Sequence, residues 1–505
     1  MPRPNLIYIL ADDMGYGDVS CLNPQAAWKT PAFDRLAAEG IAFTDAHSSS
    51  AVCTPSRYSI LTGRYNWRSR LKQGVLGGYS PPLIEDGRST VASLLRDVGY
   101  RTACVGKWHL GLEWGRITDA ASNAGSGNGA DGSPAAPLAE APAFGVTEGV
   151  DYAAPIGGGP LERGFDYYYG IAASLDMPPY VYIENDRVTA LPDHETEDTG
   201  ARFWRRGPTA PDFRHEEVLP RLVGKTLELI DAWAETPFFI YLPLPAPHTP
   251  ILPTGDFVGA SATTAYGDFV LMCDDVVGRI LARLDALGIG DDTIVVYTSD
   301  NGCSPMADYE SLARFGHNPS YVFRGTKADI YEGGHRIPLL VRWPQAIPAG
   351  TRCAETVCLT DLYATMAEIV EQTPTDDAAE DSVSNLDLWT GRSAAPLREA
   401  TVHHSVDGSF SIRTGRWKLE LCPGSGGWSF PKPGEEPPGS PAYQLYDLDA
   451  DIGERRNLID EHPDVAAELS ALLSKYVTEG RSTPGTPQPN TGPQWWEQLR
   501  WMDRT

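Results

Sequence analysis

The sequence predicts an α/β fold, a large mixed and mostly parallel sheet sandwiched by helices with a smaller C-terminal α+β domain, and three observations carry that prediction. Short runs that are apolar on both faces recur at residues 5–10, 101–105, 238–242, 293–298 and 338–343, as expected of central parallel strands covered on both sides. Amphipathic stretches with a 3.6-residue apolar period alternate with these runs, the pattern of strands joined by crossover helices. Near residue 385 the texture changes to shorter strand-like pieces and loops rich in Pro and Gly.

Taken in chain order, the run 5–10 is the first strand and leads directly into Asp12-Asp13. Thr30-Pro31 then supplies an N-cap and an N1 proline for a helix whose apolar face is Phe33, Leu36 and Ala37, and Gly40 stops it. A loop at Cys53-Thr54-Pro55 enters a helix over 56–61. Ser89 and Thr90 open another helix that Gly99 closes, just before the strand 101–105. Residues 118–160 break the alternation with Ala, Gly, Ser, Asn and Pro, which reads as a long surface insertion. Helices over 265–287 and 360–370 bracket the strands 293–298 and 338–343. Beyond them lie strand-like pieces at 410–413, 417–421 and 443–446, a Pro/Gly-rich loop at 423–442 and a helix over 463–478. The expected organisation is a catalytic domain over 1–385, a smaller domain over 386–482 and an extended tail over 483–505, with no internal repeat.

Composition excludes several classes. The chain has 505 residues, 42% of them hydrophobic, with thirteen Trp and twenty-two Tyr, so it can bury a large core and is not disordered. Its 41 Lys and Arg against 67 Asp and Glu give 41 − 67 = −26, which opposes long-range association with nucleic acid or an anionic membrane. No segment reaches the roughly 18 consecutive apolar residues of a membrane helix. No signal peptide is read at the start, so a cytoplasmic protein is expected, or a periplasmic or secreted one if an export signal was removed. The eight cysteines form no C-x-x-C pair and read as mostly reduced, buried thiols, Cys353 and Cys358 being the pair that could bridge.

Two strand ends carry oxygen ligands. Asp12-Asp13 follows the first strand and Asp300-Asn301-Gly302 follows the strand 293–298, and in an open α/β sheet ligands bind at the carboxyl ends of strands. Each alone could be a solvated turn. Together they suit one hard divalent cation with oxygen ligands. Cys53-Thr54-Pro55-Ser56-Arg57 is the sharper feature, although Pro55 and Ser56 are also ordinary helix-start residues.

Through Cys53, Pro55, Ser56 and Arg57 the chain matches the C-x-P-S-R signature and resembles the type I, formylglycine-dependent sulfatases, arylsulfatase-like members of the alkaline phosphatase superfamily. Leu61-Thr62-Gly63-Arg64 continues the likeness. Other landmarks follow in order: residues 7–17, then Gly106-Lys107-Trp108-His109-Leu110-Gly111, Pro247-His248-Thr249-Pro250, Ser299-Asp300-Asn301-Gly302, and Arg324-Gly325-Thr326-Lys327 with Glu332-Gly333-Gly334-His335-Arg336. Tyr446-Asp447-Leu448, with Glu454 and Asn457-Leu458, resembles the family's closing strand. The resemblance implies an alkaline-phosphatase-like fold and a sulfuric ester hydrolase in which a formylglycine-generating enzyme converts Cys53 to an aldehyde that is then hydrated. It also implies one divalent cation, Ca²⁺ with Mg²⁺ or Mn²⁺ as alternatives, on Asp12, Asp13, Asp300 and Asn301 with residue 53. Lys107 and Lys327 would hold sulfate oxygens, and Arg57 would pair with the hydrated aldehyde. One hydroxyl of the hydrate would attack sulfur while His248 protonates the departing alcohol. His109 would then deprotonate the second hydroxyl to expel sulfate.

The remaining site residues carry weaker signals. Asp176, in Ser174-Leu175-Asp176-Met177-Pro178-Pro179-Tyr180, can accept hydrogen bonds from sugar hydroxyls or simply shape a turn, and His404 is a candidate substrate contact. His47, His194, His215, His317 and His462 read as ordinary loop or core residues, and His335 as a support for Lys327 and Arg336. The substrate implied is a small sulfate ester, a sulfated carbohydrate of 6-O-sulfated galactose type attacked from a chain end, with aryl sulfates also turned over. A phosphonate monoester or phosphodiester hydrolase and a non-catalytic sulfate-ester-binding protein are the rival readings, and oligomeric state is left open. Arg57, Lys107, Lys327 and a bound dication would make one positive pocket in an otherwise acidic molecule.

Overall fold

A computed structural model describes residues 3–117, 146–393 and 395–504, so most of the predicted insertion, residues 118–145, lies outside the described residues. Ten strands form the main sheet: β1 (Asn5–Asp12), β2 (Ile41–Phe43), β3 (Arg101–Lys107), β4 (Tyr167–Ile171), β5 (Ile183–Glu184), β6 (Arg187–Val188), β7 (Phe238–Pro247), β8 (Thr293–Ser299), β9 (Leu339–Arg342) and β10 (Thr351–Cys353). Their order across the sheet is β10-β2-β9-β8-β1-β7-β3-β4-β5-β6. The central strands β8, β1, β7, β3 and β4 run parallel. Every residue of β1, β7 and β8 is buried, because helices cover both faces.

Helices α1 (Pro31–Ala38) and α4 (Val218–Trp233) both pack on α5 (Ala265–Leu287), while α2 (Cys53–Thr62), α3 (Val91–Asp97) and α6 (Leu362–Ile369) pack on one another. Strand β3 touches both α3 and α4. The sequence reading had no counterpart for α4, whose Leu219, Leu222, Val223, Thr226 and Ile230 are its buried stripe. The run 338–343 forms a central strand as expected but is antiparallel to β8, not parallel. The reason lies in the connection: residues 300–338 hold the 3-10 turn Pro305–Ala307 and the short helices Tyr309–Ala313 and Glu332–His335, and they do not supply a crossover helix across the sheet face.

A second sheet of four antiparallel strands, β11 (Thr401–His404), β12 (Phe410–Thr414), β13 (Trp417–Glu420) and β14 (Gln444–Asp447), is covered by α7 (Pro463–Glu479). Strand β11 was not predicted, since Thr-Val-His-His is too polar to read as a buried strand. The residues after 483 return over this sheet, and Trp496, Leu499 and Trp501 join Phe410, Ile412 and Leu473 in its core. All eight cysteines are free thiols, so the Cys353–Cys358 bridge does not form: Cys353 ends β10 while Cys358 is buried in a separate two-stranded pair with residues 46–47.

Register is what makes the site. Ala11 of β1 pairs with Ser299 of β8, Asp12 pairs with Pro247 of β7, and β3 ends at Lys107 beside Ile171 of β4. The carboxyl ends of these parallel strands therefore lie together and present Asp12-Asp13, Asp300-Asn301, His248 and Lys107 to one crevice.

Candidate active site

Cys53 opens α2 after an extended Val52, and it is 2% exposed. Its Sγ donates to Asp12 Oδ1 at 3.4 Å and receives Lys327 Nζ at 3.5 Å. One turn along α2, Arg57 is fully buried; its Nε and Nη2 donate to Asp300 Oδ2 at 3.0 and 2.7 Å, and its Nη1 to the Lys107 carbonyl at 3.0 Å. Lys107 Nζ donates to Asp12 Oδ2 at 2.6 Å and to Ser174 Oγ at 2.5 Å. Lys327 Nζ reaches Asp13 Oδ1 at 2.6 Å. Three cations and three carboxylates thus share one buried cluster, which makes each charge tolerable there.

The backbone is shaped for this convergence. Asp13 holds a left-handed φ of 66°, so its carboxylate turns back toward Asp12, and its backbone N–H donates to Asp300 Oδ1 at 3.2 Å. Gly106, one residue before Lys107, has φ 144°, and a Cβ there would stand 2.0 Å from the Pro243 carbonyl oxygen. Only glycine lets β3 approach β7 this closely and so bring Lys107 to Asp12.

Electrostatics follow the geometry. Burial alone would raise Asp12, but Lys107, His248, Arg57 and Lys327 hold its carboxyl well below the ordinary range. Asp300 is pushed up, by burial first and then by the neighbouring Asp12 charge. Burial also drives the Cys53 thiol upward, so as a free thiol it stays protonated. Burial, then the charges of Lys107 and Arg57, holds His109 well below the usual imidazole range. With φ 56°, His109 donates Nε2–H to the Leu76 carbonyl at 2.7 Å and leaves a buried Nδ1 with no hydrogen-bond partner. That is a neutral imidazole with an open lone pair.

His248 lies 10% exposed at the mouth, its Nδ1 on the Thr249 carbonyl and its Nε2 3.6 Å from Asp13 Oδ2. Asp12, Asp13, Cys53 and His248 offer donor atoms all within 4.8 Å of one another. Asn301 Nδ2 donates to Asp13 Oδ1 at 2.7 Å, while its Oδ1 is buried without any hydrogen-bond partner. An orphaned amide oxygen beside three carboxylates is a donor set that fits a hard divalent cation.

Not every expected residue joins this cluster. Asp176 belongs to the loop that also carries Ser174; its Oδ2 is paired with Arg205 and its Oδ1 has no partner. Arg205 and Ser174 were missed by sequence reading, and only the Ser174-to-Tyr180 loop gave a signal. The His404 ring is 1% exposed, edge-on to Phe410 and 6.4 Å from Trp67, and its backbone bonds Ser49 and Ala51 in the segment that leads into Cys53. His335 touches the loop of Lys327 only at its end, with Nε2 3.1 Å from the Ile330 carbonyl, and it makes no ion pair or hydrogen bond with the Lys327 or Arg336 side chain. It stacks on His403 at 3.9 Å and bonds His47 Nδ1 at 3.0 Å and Lys418 Nζ at 3.1 Å, because the C-terminal sheet packs behind its loop. Arg336 pairs instead with Asp45 and Glu332, each at 3.0 Å.

Residues 4–371 match the family model described as Sulfatase. The chain is similar to the N-acetylgalactosamine-6-O-sulfatase of Bacteroides thetaiotaomicron, 32% identical over 519 aligned residues that cover 94% of this chain and 93% of that one. It is also 32% identical over 434 residues to the steryl-sulfatase of Rattus norvegicus, covering 80% of this chain and 72% of that one. A solved structure described under the metabolism of multiple glycosaminoglycans by Bacteroides thetaiotaomicron superposes with a TM-score of 0.79 at 30% identity, covering 94% of this chain and 99% of that one.

Proposed function

The chain belongs to the sulfatase family and is a sulfuric ester hydrolase, and from that premise we propose that it removes the 6-O-sulfate from a terminal N-acetylgalactosamine- or galactose-type sugar and also hydrolyses small aryl sulfates. The observation that carries this reading is the meeting of Arg57, Lys107 and Lys327 with the Asp12, Asp13 and Asp300 carboxylates around Cys53. The relative's 6-O-sulfatase name, at full-length coverage, supports the choice of sugar and position.

Asp12, Asp13, Asp300 and Asn301 would hold one divalent cation, Ca²⁺ by preference for an all-oxygen set, and when bound it supplies positive charge to a sulfate oxygen. Formylglycine at residue 53, when formed, supplies a hydrated aldehyde with one hydroxyl to attack sulfur and a second to carry the release of sulfate. The 2% exposure of Cys53 supports conversion by a formylglycine-generating enzyme before the chain folds.

The chain's own residues do the rest. Lys107 and Lys327 neutralise the equatorial oxygens of the sulfate, and Arg57, held by Asp300, stabilises the developing oxyanion at residue 53. His248 Nε2 donates a proton to the departing sugar oxygen. His109 Nδ1, neutral and unpartnered, accepts the proton of the second hydroxyl. Asp176, fixed by Arg205 next to the Lys107–Ser174 contact, orients the sugar hydroxyls.

The experiment is sulfate release from a panel of N-acetylgalactosamine 6-sulfate, its 4-sulfate isomer, galactose 6-sulfate, an aryl sulfate and an aryl phosphodiester, with mass spectrometry of the residue 53 peptide. The 6-sulfates should lead among sugars and residue 53 should carry an aldehyde. Faster turnover of the phosphodiester than of any sulfate, or full activity with an intact thiol, overturns the reading.

A further inference from the structure

Between β13 and β14 the Pro/Gly-rich loop 423–442 is built rigidly against the loop that carries Lys327. Ile330 N donates to the Ser425 carbonyl at 2.7 Å, Ser425 N to the Pro431 carbonyl at 2.8 Å, and Ser425 Oγ to the Ser429 carbonyl at 2.7 Å. Asp329, two residues after Lys327, accepts the backbone N–H groups of Trp428 at 2.8 Å and Ser429 at 2.9 Å. Gly427 lies so close that a Cβ there would stand 2.4 Å from the Ala328 carbonyl oxygen.

The loop's base is buried over 425–427, yet the next side chains are not: Trp428 is 45% exposed and Phe430 66%. A chain segment free to move would turn these rings inward. Here the backbone bonds of Trp428 and Ser429 to Asp329 anchor the main chain beneath these rings, and apolar side chains exposed on an anchored support mark an interaction surface. Gly427 lies against the carbonyl of Ala328, the residue next to Lys327, whose Nζ is 3.5 Å from Cys53 Sγ, so the backbone that carries Trp428 borders the loop of Lys327.

We propose that Trp428 and Phe430 form an apolar subsite at the rim of the active site for the sugar that follows the sulfated unit in an oligosaccharide, gripping the C–H face of its ring. This rests on the carbohydrate reading above. Aromatic faces carry partial negative charge and attract the partially positive C–H groups of a pyranose face. The same loop bears Glu435 and Glu436 against Lys432, in a molecule of net charge −26, so the occupant is an uncharged sugar and not a uronate or a second sulfated unit.

The test compares kcat/KM of the mature enzyme on a monosaccharide 6-sulfate and on a disaccharide whose non-reducing unit carries that sulfate and whose second sugar is neutral. In Trp428→Ala the disaccharide-to-monosaccharide ratio should fall about three- to tenfold, through KM rather than kcat. Trp428→Phe should fall less. A ratio equal to wild type in Trp428→Ala, with equal thermal stability, overturns the subsite alone. A wild-type enzyme that releases sulfate from neither sugar overturns the carbohydrate reading and the subsite with it.

Discussion

At the scale of single residues, the proposed chemistry turns on whether position 53 offers one hydroxyl or two. A serine there could attack sulfur from the same place, 3.4 Å from Asp12 and 3.5 Å from Lys327. It would have no second hydroxyl to expel sulfate from the enzyme. Cys53→Ser should therefore release at most one equivalent of alcohol per enzyme in a rapid-quench experiment and show no steady state. Sustained turnover at the wild-type rate in that variant would refute the two-hydroxyl requirement. The residue types for this chemistry were readable in the sequence because C-x-P-S-R, G-K-W-H and the Asp pairs are local strings. Ser174, which shares the Lys107 ammonium, was not, since a serine in a loop is unremarkable until a chain 67 residues away meets it.

At the scale of elements, the loop carrying Lys327 is held from behind by the C-terminal sheet. Lys418 of β13, fully buried, donates to the Ile330 carbonyl at 2.9 Å and pairs with Glu454 at 2.6 Å, Glu332 at 3.2 Å and Glu420 at 3.3 Å. Glu454 also accepts the backbone N–H of Glu332 at 2.8 Å. Among the described residues Glu420 and Glu454 find their ion pair in this one ammonium, while Glu332 also pairs with Arg336 at 3.0 Å and Arg413 at 3.7 Å. Lys418→Met should destabilise the protein by about 3–5 kcal/mol in urea unfolding, since it strands those charges. Glu454→Gln in the same chain should recover part of the loss, and a double-mutant cycle with no coupling between 418 and 454 would show the network to be incidental. The sequence named Glu454 through the closing-strand resemblance but gave it no partner. Lys418 lies on a short strand whose alternation says only that it faces one side, and Glu332 is 86 residues away in sequence from Lys418.

At the scale of the whole molecule, burial of histidine sets the acid limit. His47, His109, His215, His335, His403 and His404 are all displaced downward, with burial the largest cause, and His215 and His404 are pushed to about 3. Between that value and the unfolded imidazole value the unfolded chain binds a proton that the folded chain does not. Stability from such a group is complete above the unfolded value and is lost as pH falls, by about 2 kcal/mol at pH 5 for each of His215 and His404. Asp274, pushed up to about 6 by burial, acts with the opposite sign over part of this window, so the total slope is a difference. His404→Phe isolates one group: its ring meets Phe410 and Trp67, with Lys72 the charge acting on it. The fall in unfolding free energy between pH 7 and pH 5 should be about 2 kcal/mol smaller in that variant. An unchanged fall would mean that His404 titrates normally.

By itself the sequence determined the fold class, the strand ends that carry Asp12-Asp13 and Asp300-Asn301 and the segment of the candidate nucleophile Cys53, because apolar period, turn residues and short motifs are properties of neighbours along the chain. The tertiary structure decided which strand ends share a crevice, the reversed direction of β9, the partners of His335 and the bond that ties the Trp428 backbone to Asp329. Those depend on register and on contacts between segments tens to hundreds of residues apart, where no local pattern distinguishes a bonded pair from an unbonded one.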